Sequence, residues 1–148
     1  MREIAAILED NADRLNAMRA CLRYALPAVE AAFFENAAEM ITWFRTHFED
    51  VALISLDHDL PLKVETGRTI DCGTGRQVAD YLASELPTCP VIVHSSNDPC
   101  ARGMFQVLSD AGWPCRRVYP CDDTKWIADA WLPEIQSMVS DGWIVFRP

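Results

Sequence analysis

Basic residues are scarce in this 148-residue chain: 13 lysines and arginines stand against 22 aspartates and glutamates, for a formal charge of -9. A surface of that sign repels the backbone of duplex DNA and the headgroups of an anionic membrane, so neither is expected as a partner. No apolar run approaches the roughly 20 residues that a membrane-spanning helix needs. The six cysteines, Cys21, Cys72, Cys89, Cys100, Cys115 and Cys121, include no close CxxC pair, and the opening residues do not resemble a secretory signal. A zinc site drawn from Cys100, Cys115, Cys121 and His94 has no ligand spacing to advertise it. The expectation is a cytoplasmic protein with free thiols. A small phosphorylated ligand or an RNA end stays compatible with the charge, because a metal ion or a few local cations can reverse the field inside a pocket.

What is present is an ordered, core-forming composition. Half of the residues are hydrophobic and 24% are charged, and a chain of this length can bury roughly 70% of the surface that its unfolded form exposes. Short apolar runs alternate with segments of helical period across residues 1–148, the pattern of βα units in one domain with a parallel sheet. "REIAAILED" predicts a first strand ending in Glu9 and Asp10, followed by a helix that shares Leu15, Met18, Leu22 and Leu26 on one face and stops at Pro27. "AVEAAFFE" predicts a second strand, and Asn36 with Glu39 opens a helix carrying Met40, Ile41, Phe44 and Phe48. "VALISL" is the third strand.

The polar stretch at about 62–73, with Thr66-Gly67 at its centre, predicts an inserted hairpin or flap. Thr74 and Gln77 form a capping-box pattern for a third helix with Val78, Leu82 and Leu86 inward and Pro87 at its end. "PVIVHSSN" predicts the fourth strand, and Asp98-Pro99 a cap and first turn for a helix that ends at Gly112. "CRRVYP" predicts the fifth strand, residues 124–141 a helix kinked or broken at Pro133, and "GWIVFRP" a short edge strand.

Three of these strand ends carry polar groups: Glu9 and Asp10, then Asp57, His58 and Asp59 in "LISLDHDLP", then His94, Ser95, Ser96 and Asn97. In a doubly wound sheet of order 2-1-3-4-5, the first, third and fourth strands are neighbours, and ligands bind beyond their carboxyl ends. The three polar ends therefore converge on one crevice.

On these positions the chain resembles the response-regulator receiver domain over roughly residues 3–139. Receivers have an acidic pair after the first strand, an aspartate after the third with a proline further on, and Thr or Ser after the fourth; Glu9-Asp10, Asp57 with Pro61, and Ser95 match. Gly112 and Pro120 keep the receiver spacing at the fifth strand, but Tyr119 stands where receivers carry a lysine. The longer phrases "ISLDHDLP", "GTGRQVADYL" and "VIVHSSNDPCARGM" resemble a narrower group, the cyclic-phosphate processing receiver-like family, through Asp57-His58-Asp59, Thr74-Gly75 and His94-Ser95-Ser96-Asn97. The resemblance implies a three-layer α/β, flavodoxin-like fold with a five-stranded parallel sheet and helices on both faces. It also implies hydrolysis of a cyclic phosphate on a nucleotide or RNA end.

Such chemistry needs charge neutralisation at the phosphate and proton transfer to and from the attacking and leaving oxygens. Glu9, Asp10, Asp57 and Asp59 are oxygen ligands suited to Mg²⁺ or another divalent cation. Asp57, His58 and His94 are the expected catalytic groups, since both histidines titrate near neutrality when unperturbed. Strand alternation leaves open which histidine faces substrate. Ser95, Asn97, Thr74, Gly75 and Arg102 are the expected phosphate and substrate contacts, with Lys63, Arg68 and Arg76 as further substitutes for the missing fifth-strand cation. The blander alternatives are a dipole-favoured acid pair at Glu9-Asp10, a buried structural His94, and Ser95 and Asn97 as helix caps. A second function class is an atypical receiver that accepts phosphate on Asp57 or binds a phosphorylated partner.

Overall fold

The computed structural model describes residues 3–121 and 123–145. Its chain order is β1 (Ile4–Leu8), α1 (Ala12–Ala25), β2 (Glu30–Phe34), α2 (Ala37–His47), β3 (Val51–Leu56), β4 (Lys63–Glu65), β5 (Arg68–Ile70), α3 (Gly75–Ala83), β6 (Val91–His94), α4 (Asp98–Asp110), β7 (Cys115–Val118) and α5 (Leu132–Ser140). A short π-helical segment, Ile127–Trp131, leads into α5. The main sheet runs β2-β1-β3-β6-β7 with every pair parallel. Once the two hairpin strands take their numbers, this is the order 2-1-3-4-5 of a receiver.

The sheet is buried on both faces, which is why its strands read as continuous apolar runs. Ala6, Leu8, Ile54, Leu56, Val91 and Val93 pack against Met40 and Phe44 of α2, Val78 and Leu82 of α3, and Met104 and Leu108 of α4. The alternate side chains Ala5, Ile7, Leu53 and Ile92 face Met18 and Leu22 of α1, Trp126, Trp131, and Ile135 of α5. A register shift between Ile4 and Ala5, which pair with Val51 and Leu53, turns Ala52 and Leu53 to the same side. Ser55 is the polar exception in β3, and it lies wholly buried on the α1/α5 side.

Residues 63–70 form an antiparallel hairpin with Lys63 opposite Ile70 and Glu65 opposite Arg68. Thr66 and Gly67 both take positive φ at its tip, as a two-residue hairpin turn requires. Lys63 Nζ pairs with Glu35 and ties this hairpin to the end of β2.

Three local expectations are corrected. Leu86 is 84% exposed rather than inward, because α3 ends at Ala83 and the chain turns away before Pro87. The cap of α4 is Asn97, whose Oδ1 accepts from the Cys100 amide at 3.4 Å, and Asp98 moves into the first turn. Residues 141–144 fold back on α5, with the Trp143 and Ile144 amides donating to the Met138 carbonyl, so the described part of "GWIVFRP" adds no strand. Residues 146–148 of that stretch lie outside the described residues.

Candidate functional site

The parallel sheet brings the ends of β1, β3 and β6 side by side. The Glu9 amide donates to Phe34 O at 2.9 Å and the Asp57 amide to Leu8 O at 3.0 Å, so the ladder continues past each strand and delivers the acids at one level. Carboxylate oxygens of Glu9, Asp10 and Asp57 lie within 4.8 Å of one another. Glu9 and Asp57 are buried and Asp10 half-buried. Asp59, expected as a fourth ligand, is exposed and stands outside this group.

Electrostatics follow from that crowding. Burial pushes the Asp57 carboxyl up to about 6, and the Glu9 carboxylate beside it adds to the rise. Asp10 is raised by burial and by the charge of Glu9. Burial also acts to raise Glu9, but the hydrogen bond from His94 and the neighbouring Arg14 prevail and hold it below the usual carboxylate range. Three acids pressed together with this few cations are a site short of positive charge.

His94 is wholly buried beneath the acids, on the same side of the sheet as Ser55. Its Nε2 lies 3.0 Å from Glu9 Oε2 and its Nδ1 2.7 Å from Ser55 Oγ, while its ring stacks on Trp126 at 5.7 Å. Trp131 Nε1 donates to the same Ser55 Oγ at 3.0 Å. An indole N–H only donates, so Ser55 Oγ accepts from Trp131. The Glu9 carboxylate only accepts, so Nε2 donates to it, and a neutral ring leaves Nδ1 to accept from the serine hydroxyl. The other Glu9 oxygen accepts from Arg14 at 3.3 Å.

His58 lies at the rim, with its side chain 12% exposed. Its Nδ1 bonds Asp59 Oδ1 at 2.8 Å, and Asp59 Oδ2 accepts from Asn97 Nδ2 at 3.2 Å. The His58 hydrogen bond holds the Asp59 carboxyl below its ordinary range. The backbone amide of His58 donates to Asp57 Oδ1 at 2.7 Å, so one short loop presents the central acid and the histidine together.

The remaining expected contacts divide. Thr74 and Gly75 pin the loop: Thr74 bridges to Asp59, and the Gly75 amide donates to His58 O at 2.9 Å, which commits that N–H to the protein. Ser95 is buried and accepts from the Asn97 amide at 3.2 Å. Arg102 is 70% exposed and bonds Asp98, together with Arg117, away from the acids. Tyr119 is 60% exposed. The cations near the acids are instead Arg14 on Glu9 and Lys63, whose charge opposes the rise of Asp10.

Sequence reasoning missed Arg14, Ser55 and Trp131. Ser55 had a readable signal, a lone hydroxyl inside an otherwise apolar strand. Arg14 stands in the first turn of α1 after the acid pair, and Trp131 had no signal beyond its size.

Solved structures with the same fold are response-regulator receivers. A receiver domain from Rhodospirillum rubrum matches with a TM-score of 0.67 and 17% identity, over 95% of this chain and 96% of that one. The phosphorylated cyanobacterial phytochrome response regulator RcpA gives 0.62 and 19%, over 97% and 94%. The Mn²⁺-bound form of response regulator Rcp1 gives 0.59 and 17%, over 99% of each chain. No curated protein matches in sequence. The family model described as the cyclic-phosphate processing receiver domain matches residues 6–110. With the DHD loop, the capped helix behind it and the His-Ser pair all inside that span, the chain belongs to the cyclic-phosphate processing receiver domain family.

Proposed function

We propose that this protein is a divalent-metal-assisted phosphohydrolase, a phosphodiesterase that opens a cyclic phosphate on a nucleotide or an RNA end. The observation that carries the reading is the His58–Asp59 pair next to the acids: Nδ1 is held by a carboxylate at 2.8 Å, and no protein partner is found for Nε2 among the described residues. A histidine oriented on one nitrogen by an acid and free on the other is equipped to accept a proton from water.

The donor set fits a hard cation. Glu9, Asp10 and Asp57 offer only oxygen, their oxygens lie within reach of one ion, and each Glu9 oxygen carries a single hydrogen-bond donor, leaving a lone pair. Bound there, Mg²⁺ or Mn²⁺ would supply charge neutralisation that lets an anionic phosphate approach three acids. Response regulator Rcp1, which shares the fold, has been solved in an Mn²⁺-bound form, and this supports the same class of ion here.

In the ring opening, water attacks phosphorus opposite the ribose oxygen. The new P–O bond forms as the P–O bond to ribose breaks. His58 Nε2 takes the proton from the water, and the ribose oxygen, leaving on the opposite side of phosphorus, takes a proton from solvent. Asp59 keeps His58 in the required tautomer, and Asn97 keeps Asp59 in place. His94, wholly buried and bonded on both nitrogens, serves by holding Glu9 rather than by touching substrate.

The test is incubation with 2′,3′- and 3′,5′-cyclic nucleotides with and without Mg²⁺, beside Asp57→Asn and His58→Asn. Metal-dependent turnover that both variants lose supports the reading. A second reading, an atypical receiver phosphorylated at Asp57, is favoured by the receiver-type position of that residue beside Glu9 and Asp10. Stable labelling of Asp57 by acetyl phosphate, with no turnover of any cyclic substrate, would establish it in place of the first.

A further inference from the structure

We infer that Trp131 and Ser55 are positioning residues for the acidic centre, acting through His94 to fix which face of Glu9 is offered to a cation. The inference rests on the reading of Glu9, Asp10 and Asp57 as a metal site. It adds a buried chain of partners on the α1/α5 side of the sheet.

The path is continuous and fully buried. Trp131 Nε1 donates to Ser55 Oγ at 3.0 Å, Ser55 to His94 Nδ1 at 2.7 Å, and His94 Nε2 to Glu9 Oε2 at 3.0 Å. Trp131, Ser55, His94 and Glu9 are all at 0% exposure, so no water competes for any link. Both ends of the path are fixed in role, since the indole N–H only donates and the ionised Glu9 carboxylate only accepts. Remove the indole, and the serine hydroxyl is free to turn. Remove the serine as well, and Nδ1 is left buried without this partner, so the ring loses the contact that aims Nε2 at Glu9.

Such outer partners commonly set the orientation and basicity of a ligand, and their loss typically weakens metal affinity about 10- to 100-fold. Trp131 also closes a π-helical segment, Ile127–Trp131. Insertions of this kind are frequent at functional sites. From that segment the Trp131 indole reaches the hydroxyl of Ser55, the penultimate residue of β3.

The experiment uses the whole chain labelled with ¹⁵N-histidine. Imidazole ¹⁵N spectra of the metal-free protein report the His94 tautomer, and Mn²⁺ titration followed by electron paramagnetic resonance reports affinity. The wild type is expected to show His94 protonated on Nε2 and bare on Nδ1. Ser55→Ala and Trp131→Phe are expected to shift the His94 imidazole ¹⁵N resonances and to weaken Mn²⁺ about 10- to 100-fold. Ser55→Thr, which keeps the hydroxyl, is expected to restore both; thermal melts confirm that each variant is folded. A wild-type His94 protonated on Nδ1, or a Ser55→Ala protein that binds Mn²⁺ as the wild type does, overturns the inference while leaving the metal site standing. A wild type that binds no Mn²⁺ overturns the metal reading itself, and this inference with it.

Discussion

The backbone of Gly75 lies against the carbonyl of Asp57 so closely that a β-carbon on Gly75 would sit 1.8 Å from that oxygen. Helix α3 therefore abuts the loop that presents the central acid, and its first residue has to be bare. Gly75→Ala is a sharp prediction because two effects oppose each other. Helix propensity alone would favour alanine by up to about 1 kcal/mol. The clash with backbone, which cannot rotate away as a side chain can, costs roughly 1–3 kcal/mol or more and wins. Urea denaturation should show net destabilisation, and metal affinity should fall because Asp57 is displaced. An unchanged or raised midpoint would mean that the helix slides aside freely.

His58→Asn should reduce turnover of a cyclic nucleotide by about 10²- to 10⁴-fold with little change in stability. Asp59→Asn should act in the same direction but less strongly, since it disturbs the orientation of His58 and leaves the imidazole in place. Steady-state kinetics on both variants check this. Equal turnover by His58→Asn and wild type removes the histidine from proton transfer.

Asp57 gives a pH prediction with a definite sign. Its carboxyl is raised from 3.8 to about 6 in the folded chain, so the metal-free fold holds a proton there that the unfolded chain has released. The associated stability is present below about 4 and is lost as the pH rises through about 6. The gap between 3.8 and about 6 corresponds to on the order of 3 kcal/mol. In EDTA, Asp57→Asn should flatten the decline in melting temperature between pH 4 and 7 relative to wild type. Divalent-cation affinity should fall below pH 6 as protons compete for the same oxygens. Parallel curves for wild type and variant would show that Asp57 is not the group responsible.

The hairpin of β4 and β5 is tied to the end of β2 by Lys63 and Glu35, and the charge of Lys63 reaches Asp10. Replacing residues 63–70 with a short glycine linker should raise the Michaelis constant for a cyclic phosphate more than it lowers kcat. Kinetics unchanged on both parameters would take the hairpin out of the mechanism.

Much of this architecture was legible in the sequence because each of its signals is local. Apolar runs such as "VALISL" report burial on both faces of a parallel sheet, and Thr66-Gly67 reports a turn with two positive φ angles. The convergence of Glu9, Asp10 and Asp57 followed from strand order alone. His94 was legible as a strand-end residue beside the acids but its depth was not, because whether a side chain at a strand end rises into the crevice or drops below it depends on where pleating stops. Here β6 keeps its pleat through His94, which places that ring on the α1/α5 side among Trp126, Ser55 and Glu9. Arg102 misled for a different reason: Asp98 stands four residues before it and claims it along the helix. Asn97 and Asp98 compete for one capping position, and the amide prevails because Asp98 is drawn toward Arg102 and Arg117.

Asn97 holds two things with one amide: its oxygen closes the first turn of α4, and its nitrogen grips Asp59. The group acts as a pivot pin shared by a helix and the rim histidine's carboxylate. Unwinding the start of α4 by a single turn releases Asp59, so anything that grasps that helix on the outer surface also has a hand on the orientation of the His58 ring.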